Sequence, residues 1–196
     1  MALIHEQLPL RTASSSDWLG AVESDFDRFL ADHASCERKA AALAMSFIGK
    51  FPSRKALVEP MICLAREELA HYLEVFRLME KRAVSLIADE KDPYVQGLLR
   101  MVRHGDEDYF LDRLLVSGVI EARACERLLL LGQNLKDAGL AKFYQRLGRE
   151  EAGHYMIFVR LARVYFAEEI IRSRLDEILD AEAEIMMSLP IRPAIH

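Results

Sequence analysis

Apolar positions recur every three to four residues along nearly the whole chain, and no stretch alternates convincingly with period two. Phe26, Leu30, Ala34, Ala41, Ala44 and Ile48 mark one face of a first long helix, and Ser14-Ser15-Ser16-Asp17 is suited to start it. The GKFPS segment at 49–53 stops that helix. A second is expected from there to about residue 86, with Pro60 kinking it or splitting off its first turn. Asp92-Pro93 reads as a turn, followed by a short helix over about 94–102 and a break at His104-Gly105-Asp106. Further helices are expected over about 107–135, 140–166 and 168–187. The tail at 190–196 holds two prolines and is expected to be extended.

This pattern predicts an all-α protein. Four long amphipathic helices form a bundle, with an additional C-terminal helix and short connecting helices, in a single domain over 1–196. The core is expected over about 17–187, with short flexible tails. The long link at 87–106 falls where two antiparallel helix pairs need a crossover.

Two of these helices carry the same seven-residue pattern. Residues 66–72 read REELAHY and residues 149–155 read REEAGHY, and Arg77-Leu78 and Arg160-Leu161 keep the same offset. Glu68 and His71 are three apart, as are Glu151 and His154. That spacing turns a helix by about 300° and advances it roughly 4.5 Å, so each carboxylate and imidazole point off one face and can grip one metal ion. Glu68 shares its stripe with Met61, Leu64, Ala65, Tyr72 and Val75, and Glu151 shares its own with Tyr144, Leu147, Gly148, Tyr155 and Phe158. Both stripes face a core, where an ionised carboxylate is costly unless paired or metal-bound.

A repeated Glu-x-x-His invites one glutamate from each of the other two long helices. Glu37 is the only glutamate between Glu23 and Glu59. On the other helix the candidates are Glu121 and Glu126. Glu121 keeps the spacing of the duplication relative to Glu37, whereas Cys125-Glu126-Arg127 resembles Cys36-Glu37-Arg38. We take Glu121 as the ligand. The metal and catalytic set is then Glu37, Glu68, His71, Glu121, Glu151 and His154. Four carboxylates balance two divalent ions, and oxygen-rich ligands with two imidazoles suit iron or manganese better than zinc or copper. Glu67 and Glu150, beside the ligands, are candidates to orient the histidines.

Composition narrows the class. The 196 residues are 52% hydrophobic with 9 Gly and 6 Pro, which excludes a disordered chain and a turn-rich β protein. The net charge of −5 excludes bulk positive charge as a means of coating nucleic acid. Cys36, Cys63 and Cys125 form no CxxC pair, which argues against a disulfide scaffold or a zinc ribbon. No apolar run is long enough to span a membrane, and the first ten residues lack the pattern of a signal peptide. The expected compartment is the cytoplasm.

The order Glu37, Glu68-x-x-His71, Glu121, Glu151-x-x-His154 resembles the ferritin-like di-iron carboxylate superfamily. The segments HASCERKAA (33–41), REELAHY (66–72), SGVIEARACERL (117–128) and REEAGHY (149–155) resemble the bacterial tRNA-(2-methylthio-N6-isopentenyl-adenosine) hydroxylase family. The resemblance implies a non-haem di-iron monooxygenase that uses O2 and an external electron donor. Its substrate would be the isopentenyl side chain of a modified adenosine beside the anticodon in tRNA. It also implies a partner reductase or electron-transfer protein, since the chain holds no reductase module.

Hydroxylation needs an apolar pocket, for which Phe47, Leu114, Leu115, Val119, Tyr144 and Phe158 are candidates. The anticodon loop needs cations, and Arg54, Lys55, Lys142 and Arg146 are the candidates, with further basic residues at 100–104 and at Arg149. Two alternatives remain at this point: another ferritin-like di-iron oxidase, such as a quinone hydroxylase, or an iron-storage or ferroxidase protein.

Overall fold

The computed structural model describes residues 8–196, so the part of the N-terminal segment read for a targeting signal that precedes residue 8 lies outside the described residues. The fold is all-α. Seven helices occur among the described residues: α1 (Ser16–Ser24), α2 (Phe26–Lys50), α3 (Val58–Lys81), α4 (Pro93–Leu99), α5 (Asp106–Asn134), α6 (Ala138–Tyr165) and α7 (Glu168–Ser188). They divide into two compact units. One comprises residues 16–90 and 191–195; the other holds residues 8–15, 91–190 and His196.

In the first unit α2 and α3 pair across a short connection. The single first helix expected from the hydrophobic pattern is instead two. Asp25 interrupts it with non-helical backbone (φ −141°, ψ 65°) and caps α2 by accepting the Arg28 N–H at 3.1 Å. The apolar spacing hides this break because Val22 and Phe29 are buried on either side of it. A 3-10 turn, Lys55–Leu57, precedes α3. Pro60 sits in the first turn of α3, where a missing N–H costs nothing, so α3 need not kink there.

Helix α3 also ends five residues before the expected residue 86. Ala83 takes a left-handed conformation (φ 56°), and the Val84 N–H bonds to the Met79 carbonyl at 3.0 Å, closing a Schellman-type cap. Such caps are usually announced by glycine; alanine here gives no signal in the sequence. The strap that follows is held to α2 by charge: Arg38 and Ser35 bond Asp89, and Arg28 bonds Glu90. The C-terminal tail, expected to be flexible, is anchored. Ala194 and Ile195 are buried, Trp18 donates its indole N–H to the Ala194 carbonyl at 2.9 Å, and the Ile195 N–H bonds Asp32 at 2.8 Å.

In the second unit α5 and α6 form the main pair, with α4 and α7 packed beside them. Asp92 caps α4 by accepting the Tyr94 N–H at 2.8 Å, with Pro93 at the first helical position. Helix α5 is not a simple amphipathic helix, for it is buried on most of its circumference. It therefore buries polar residues that need matching. Arg123, fully buried, bonds Glu182 of α7 at 2.9 Å and Glu126 at 3.1 Å. Glu182 also accepts the Tyr94 hydroxyl at 2.9 Å. Asp112, likewise fully buried, accepts from Arg103 and Arg174. Ile171, Ile178, Leu179 and Ala183 of α7 are buried, so this helix packs within its unit through its apolar face. No helix of the described residues is long and apolar enough to cross a membrane.

Removing one partner of a buried ion pair leaves the other charge desolvated and uncompensated, typically at a cost of about 3–5 kcal/mol. Arg123→Ala should therefore lower stability by about that amount, whereas exposed Arg11→Ala, which removes only surface pairs to Asp176 and Asp180, should shift it by about 1 kcal/mol or less. Urea unfolding of the two variants side by side checks this; equal midpoints would show that the buried pair is energetically idle.

Candidate metal centre

In the first unit Glu37 of α2 and Glu68 and His71 of α3 come together. His71 Nδ1 lies 3.7 Å from Glu37 Oε2 and 3.8 Å from Glu68 Oε2. All three residues are buried, with Glu68 at 1% exposure. The sequence analysis did not single out His33, one turn before Glu37. Its Nε2 lies 2.6 Å from Glu37 Oε1, and its ring is buried. Burial pushes the Glu37 carboxyl up, but hydrogen bonds with His33 and His71 outweigh it and hold its pKa well below the usual carboxylate range. An ionised Glu37 only accepts, so His33 donates from Nε2 and fixes one carboxylate oxygen. The available signal was the i, i+4 spacing of His33 and Glu37 on one helix face.

In the second unit Glu151 and His154 of α6 form the matching pair. Both are buried, and His154 Nδ1 lies 2.9 Å from Glu151 Oε2. Their level is set by close backbone approach. A Cβ at Gly148 would meet the Leu129 side chain at 2.7 Å and its backbone N at 3.0 Å, so only glycine admits α5 this near. Cys125 Sγ–H reaches the Gly148 carbonyl at 3.0 Å. With α5 and α6 antiparallel, the residue one turn before Cys125 faces the residue one turn after Gly148, which brings Glu121 to the level of Glu151. Glu121 is buried.

Glu126 has a different task. Its two oxygens accept the Ser14 backbone N–H at 2.9 Å and the Ser14 hydroxyl at 2.7 Å, and Arg123 supplies a counter-charge. The similarity of the two Cys-Glu-Arg triplets is therefore not a similarity of surroundings: Glu37 meets imidazoles, whereas Glu126 meets a guanidinium and a serine.

The supporting residues are placed unevenly. Glu67 is exposed and Glu150 accepts from Arg146 at 2.8 Å, while His33 is bonded to the carboxylate of Glu37. Phe47, Leu114, Leu115, Val119, Tyr144 and Phe158 are all buried. Lys55 and Lys142 are exposed and Arg54 is half-buried. Arg146 is paired with Glu150 and lies 5.6 Å from the Phe143 ring centroid.

The donor set fits a transition-metal centre. Each unit carries one buried Glu-x-x-His pair of residue types that ligate metals, Glu68 and His71 in the first and Glu151 and His154 in the second. A carboxylate is retained in such surroundings when a cation balances it. Oxygen donors with imidazole favour iron or manganese over zinc or copper.

Burial, with a contribution from the charge of Glu151, pushes the Cys125 thiol up to about 12. It should therefore resist alkylation in the folded protein at mildly alkaline pH, while exposed Cys63 reacts readily. Peptide mapping after iodoacetamide treatment checks this; labelling of Cys125 as fast as Cys63 in the folded chain would contradict the packing at Gly148.

Comparison with known proteins places these features in a family. The model of the tRNA-(MS[2]IO[6]A)-hydroxylase (MiaE) family matches residues 2–196. A tRNA 2-(methylsulfanyl)-N(6)-isopentenyladenosine(37) hydroxylase of Pseudomonas putida is 39% identical over 171 residues, covering 87% of this chain and 83% of that one. A relative of the same description in Salmonella typhimurium is 34% identical over 137 residues, 70% of this chain, and the match spans half of that relative's length. Among solved structures, a Synechococcus protein described as having aldehyde deformylating oxygenase activity superposes with a TM-score of 0.89. It is 33% identical and covers 94% of this chain and 92% of its own. The fold is of the ferritin-like class, and the chain belongs to the tRNA-(MS[2]IO[6]A)-hydroxylase family.

Proposed function

We propose that the chain hydroxylates the isopentenyl side chain of 2-methylthio-N6-isopentenyl-adenosine beside the anticodon of tRNA, using O2 and two external electrons. The observation that carries this reading is the pair of buried Glu-x-x-His sets, one in each unit, in a chain matched along nearly its whole length by a tRNA hydroxylase family. On this reading the chain is a single ferritin-like di-iron domain. Glu37, Glu68, His71, Glu121, Glu151 and His154 hold two irons between them. When bound, the irons supply the activation of O2 for insertion of one oxygen atom into a C–H bond.

The chain's own residues do the rest. His33 holds Glu37 in one orientation through its Nε2–H. Phe47, Leu114, Val119 and Phe158 offer apolar surface that takes the isopentenyl group and keeps water from it. The adenosine lies in a single-stranded loop, so its base reaches the protein without melting a duplex. The enzyme works in the cytoplasm, where tRNA is available, with a separate protein as reductant.

The direct test supplies iron-loaded, chemically reduced enzyme with O2 and total tRNA, then digests the tRNA. A modified nucleoside heavier by one oxygen atom is expected; unchanged nucleosides would refute the activity. The wild type should hold about two irons per chain. Glu121→Ala should lose iron and turnover. Glu126→Ala should keep its iron and lose stability instead, because it leaves Arg123 and Ser14 without their acceptor. The reversed pattern would assign the ligand to Glu126.

Docking of the anticodon loop at Arg54, Lys55, Lys142 and Arg146 would release counterions. We expect binding to weaken with salt at a log–log slope of roughly −0.7 per neutralised phosphate. Replacing Arg54 with Lys55, or Lys142 with Arg146, should raise KM for tRNA and flatten that slope while iron content stays constant. Wild-type behaviour in both double variants would place the docking surface elsewhere.

A further inference from the structure

The two duplicated halves differ in what stands one turn before their first candidate glutamate. On α2, Phe29, His33 and Glu37 follow one another at successive turns of one face, and all three are buried. Phe29 packs against Trp18, with ring centroids 6.2 Å apart, and against His33, with centroids 5.8 Å apart. Trp18 is itself held by the Ala194 carbonyl. The imidazole is thus braced by aromatic packing while its Nε2 lies 2.6 Å from Glu37 Oε1. The other oxygen, Glu37 Oε2, lies 3.7 Å from His71 Nδ1.

On α5 the same register places Arg113, Ser117 and Glu121. The offset that relates Glu37 to Glu121 also relates His33 to Ser117 and Phe29 to Arg113. Ser117 is buried, but its hydroxyl ends far short of the reach of an imidazole Nε2, and a helical serine is drawn to the carbonyl one turn back. We infer that His33 makes the two metal positions unequal: the position served by Glu37, Glu68 and His71 is preorganised and binds tightly, and that served by Glu121, Glu151 and His154 binds more weakly. The inference rests on the two-iron reading.

Two effects of the His33 bond oppose each other. A donor on one carboxylate oxygen draws electron density away from the other and weakens its bond to a metal. It also fixes the carboxylate during folding, so its ordering is not charged against metal binding. The second effect wins in metal sites generally, where loss of such a supporting partner lowers metal affinity by roughly 10–100-fold. The Glu37 position therefore fills first when metal is scarce, and the Glu121 position is the first to empty.

The test titrates the metal-free full chain with Co(II), followed by its visible absorption. Wild type should take up two ions in two steps, the first tighter by roughly 10–100-fold. His71→Ala should remove the tight step and His154→Ala the weak one. His33→Gln and His33→Met are then compared, because the two side chains are alike in length and only glutamine donates a hydrogen bond. His33→Met should weaken the tight step by roughly 10–100-fold and leave the weak step unchanged, and His33→Gln should keep most of the wild-type affinity. Far-UV circular dichroism first establishes that both variants are folded; His33→Leu replaces the methionine variant if it is not.

An unchanged tight-step Kd in His33→Met overturns the inference. So does equal weakening in both variants, which would make His33 a packing residue, and so does a change confined to the step that His154→Ala removes. X-ray absorption of wild type holding one equivalent of Co(II) should show one imidazole per cobalt; two would make His33 itself a ligand and overturn its role as a positioning residue. If wild type binds one Co(II) per chain at saturation, the two-iron reading falls, while His33→Met still decides whether the histidine strengthens the position that His71 serves.

Discussion

Ionised carboxylates inside an apolar helical protein are the constraint around which this chain is organised. Each one taken out of water costs several kcal/mol unless a cation or a set of hydrogen-bond donors replaces the lost hydration. The fold answers in two chemically distinct ways. Asp112, Glu126 and Glu182 meet guanidinium groups: Arg103 and Arg174 for the first, Arg123 for the other two. Glu37 and Glu151 meet imidazoles, from His33 and His71 in one unit and from His154 in the other. A guanidinium is a permanent cation with a fixed fork of donors, so it locks an acid into structure. Imidazole can give up its proton and become a metal ligand, so acids matched to it stay available for a divalent ion. The counter-group, more than burial, separates the carboxylates locked into structure from those of the candidate metal centre.

Of the two glutamates on α5, this distinction places Glu126 among the structural carboxylates. Glu121 and Glu126 lie on one helix and are both buried. Five residues place them about 140° apart around the axis, so they serve different neighbours. Glu126 turns to Ser14 and Arg123 and ties down the segment before α1. Glu121 is brought to the level of Glu151 by the approach of α5 to α6 at Gly148, where any side chain would collide with Leu129. A glycine without chemistry of its own thus fixes how closely α5 approaches α6 at this level.

Much of this was legible in the sequence because its signals are local. The duplicated REExxHY pattern, its register and the helical periodicity all lie within single helices, and the helix ends from α5 onward fall within two residues of the expected positions. What stayed hidden depends on contacts between distant segments. The break at Asp25 leaves the apolar rhythm intact. The end of α3 rests on an alanine in a glycine's conformation. Arg123 and Glu182 are 59 residues apart, and each looks like an ordinary surface charge in sequence. The anchoring of the tail through Trp18 and Asp32 is equally non-local. His33 was the exception, a local signal passed over because one histidine at i−4 carries little weight until its burial is known.

The fold by itself does not choose the reaction. The Synechococcus structure, described by a different oxygenase activity, superposes on this chain at a TM-score of 0.89. Common helices bearing carboxylates and histidines equip a scaffold for oxygen chemistry; the substrate is chosen by what lines and surrounds the site. In this chain Phe47, Leu114, Val119 and Phe158 are apolar and fully buried. An apolar pocket of any shape discriminates weakly between hydrocarbons, since one methylene is worth only about 1–3 kcal/mol. Selectivity for a group carried on tRNA must therefore come largely from the surface that holds the nucleic acid. With a net charge of −5, such a surface depends on a few locally placed cations.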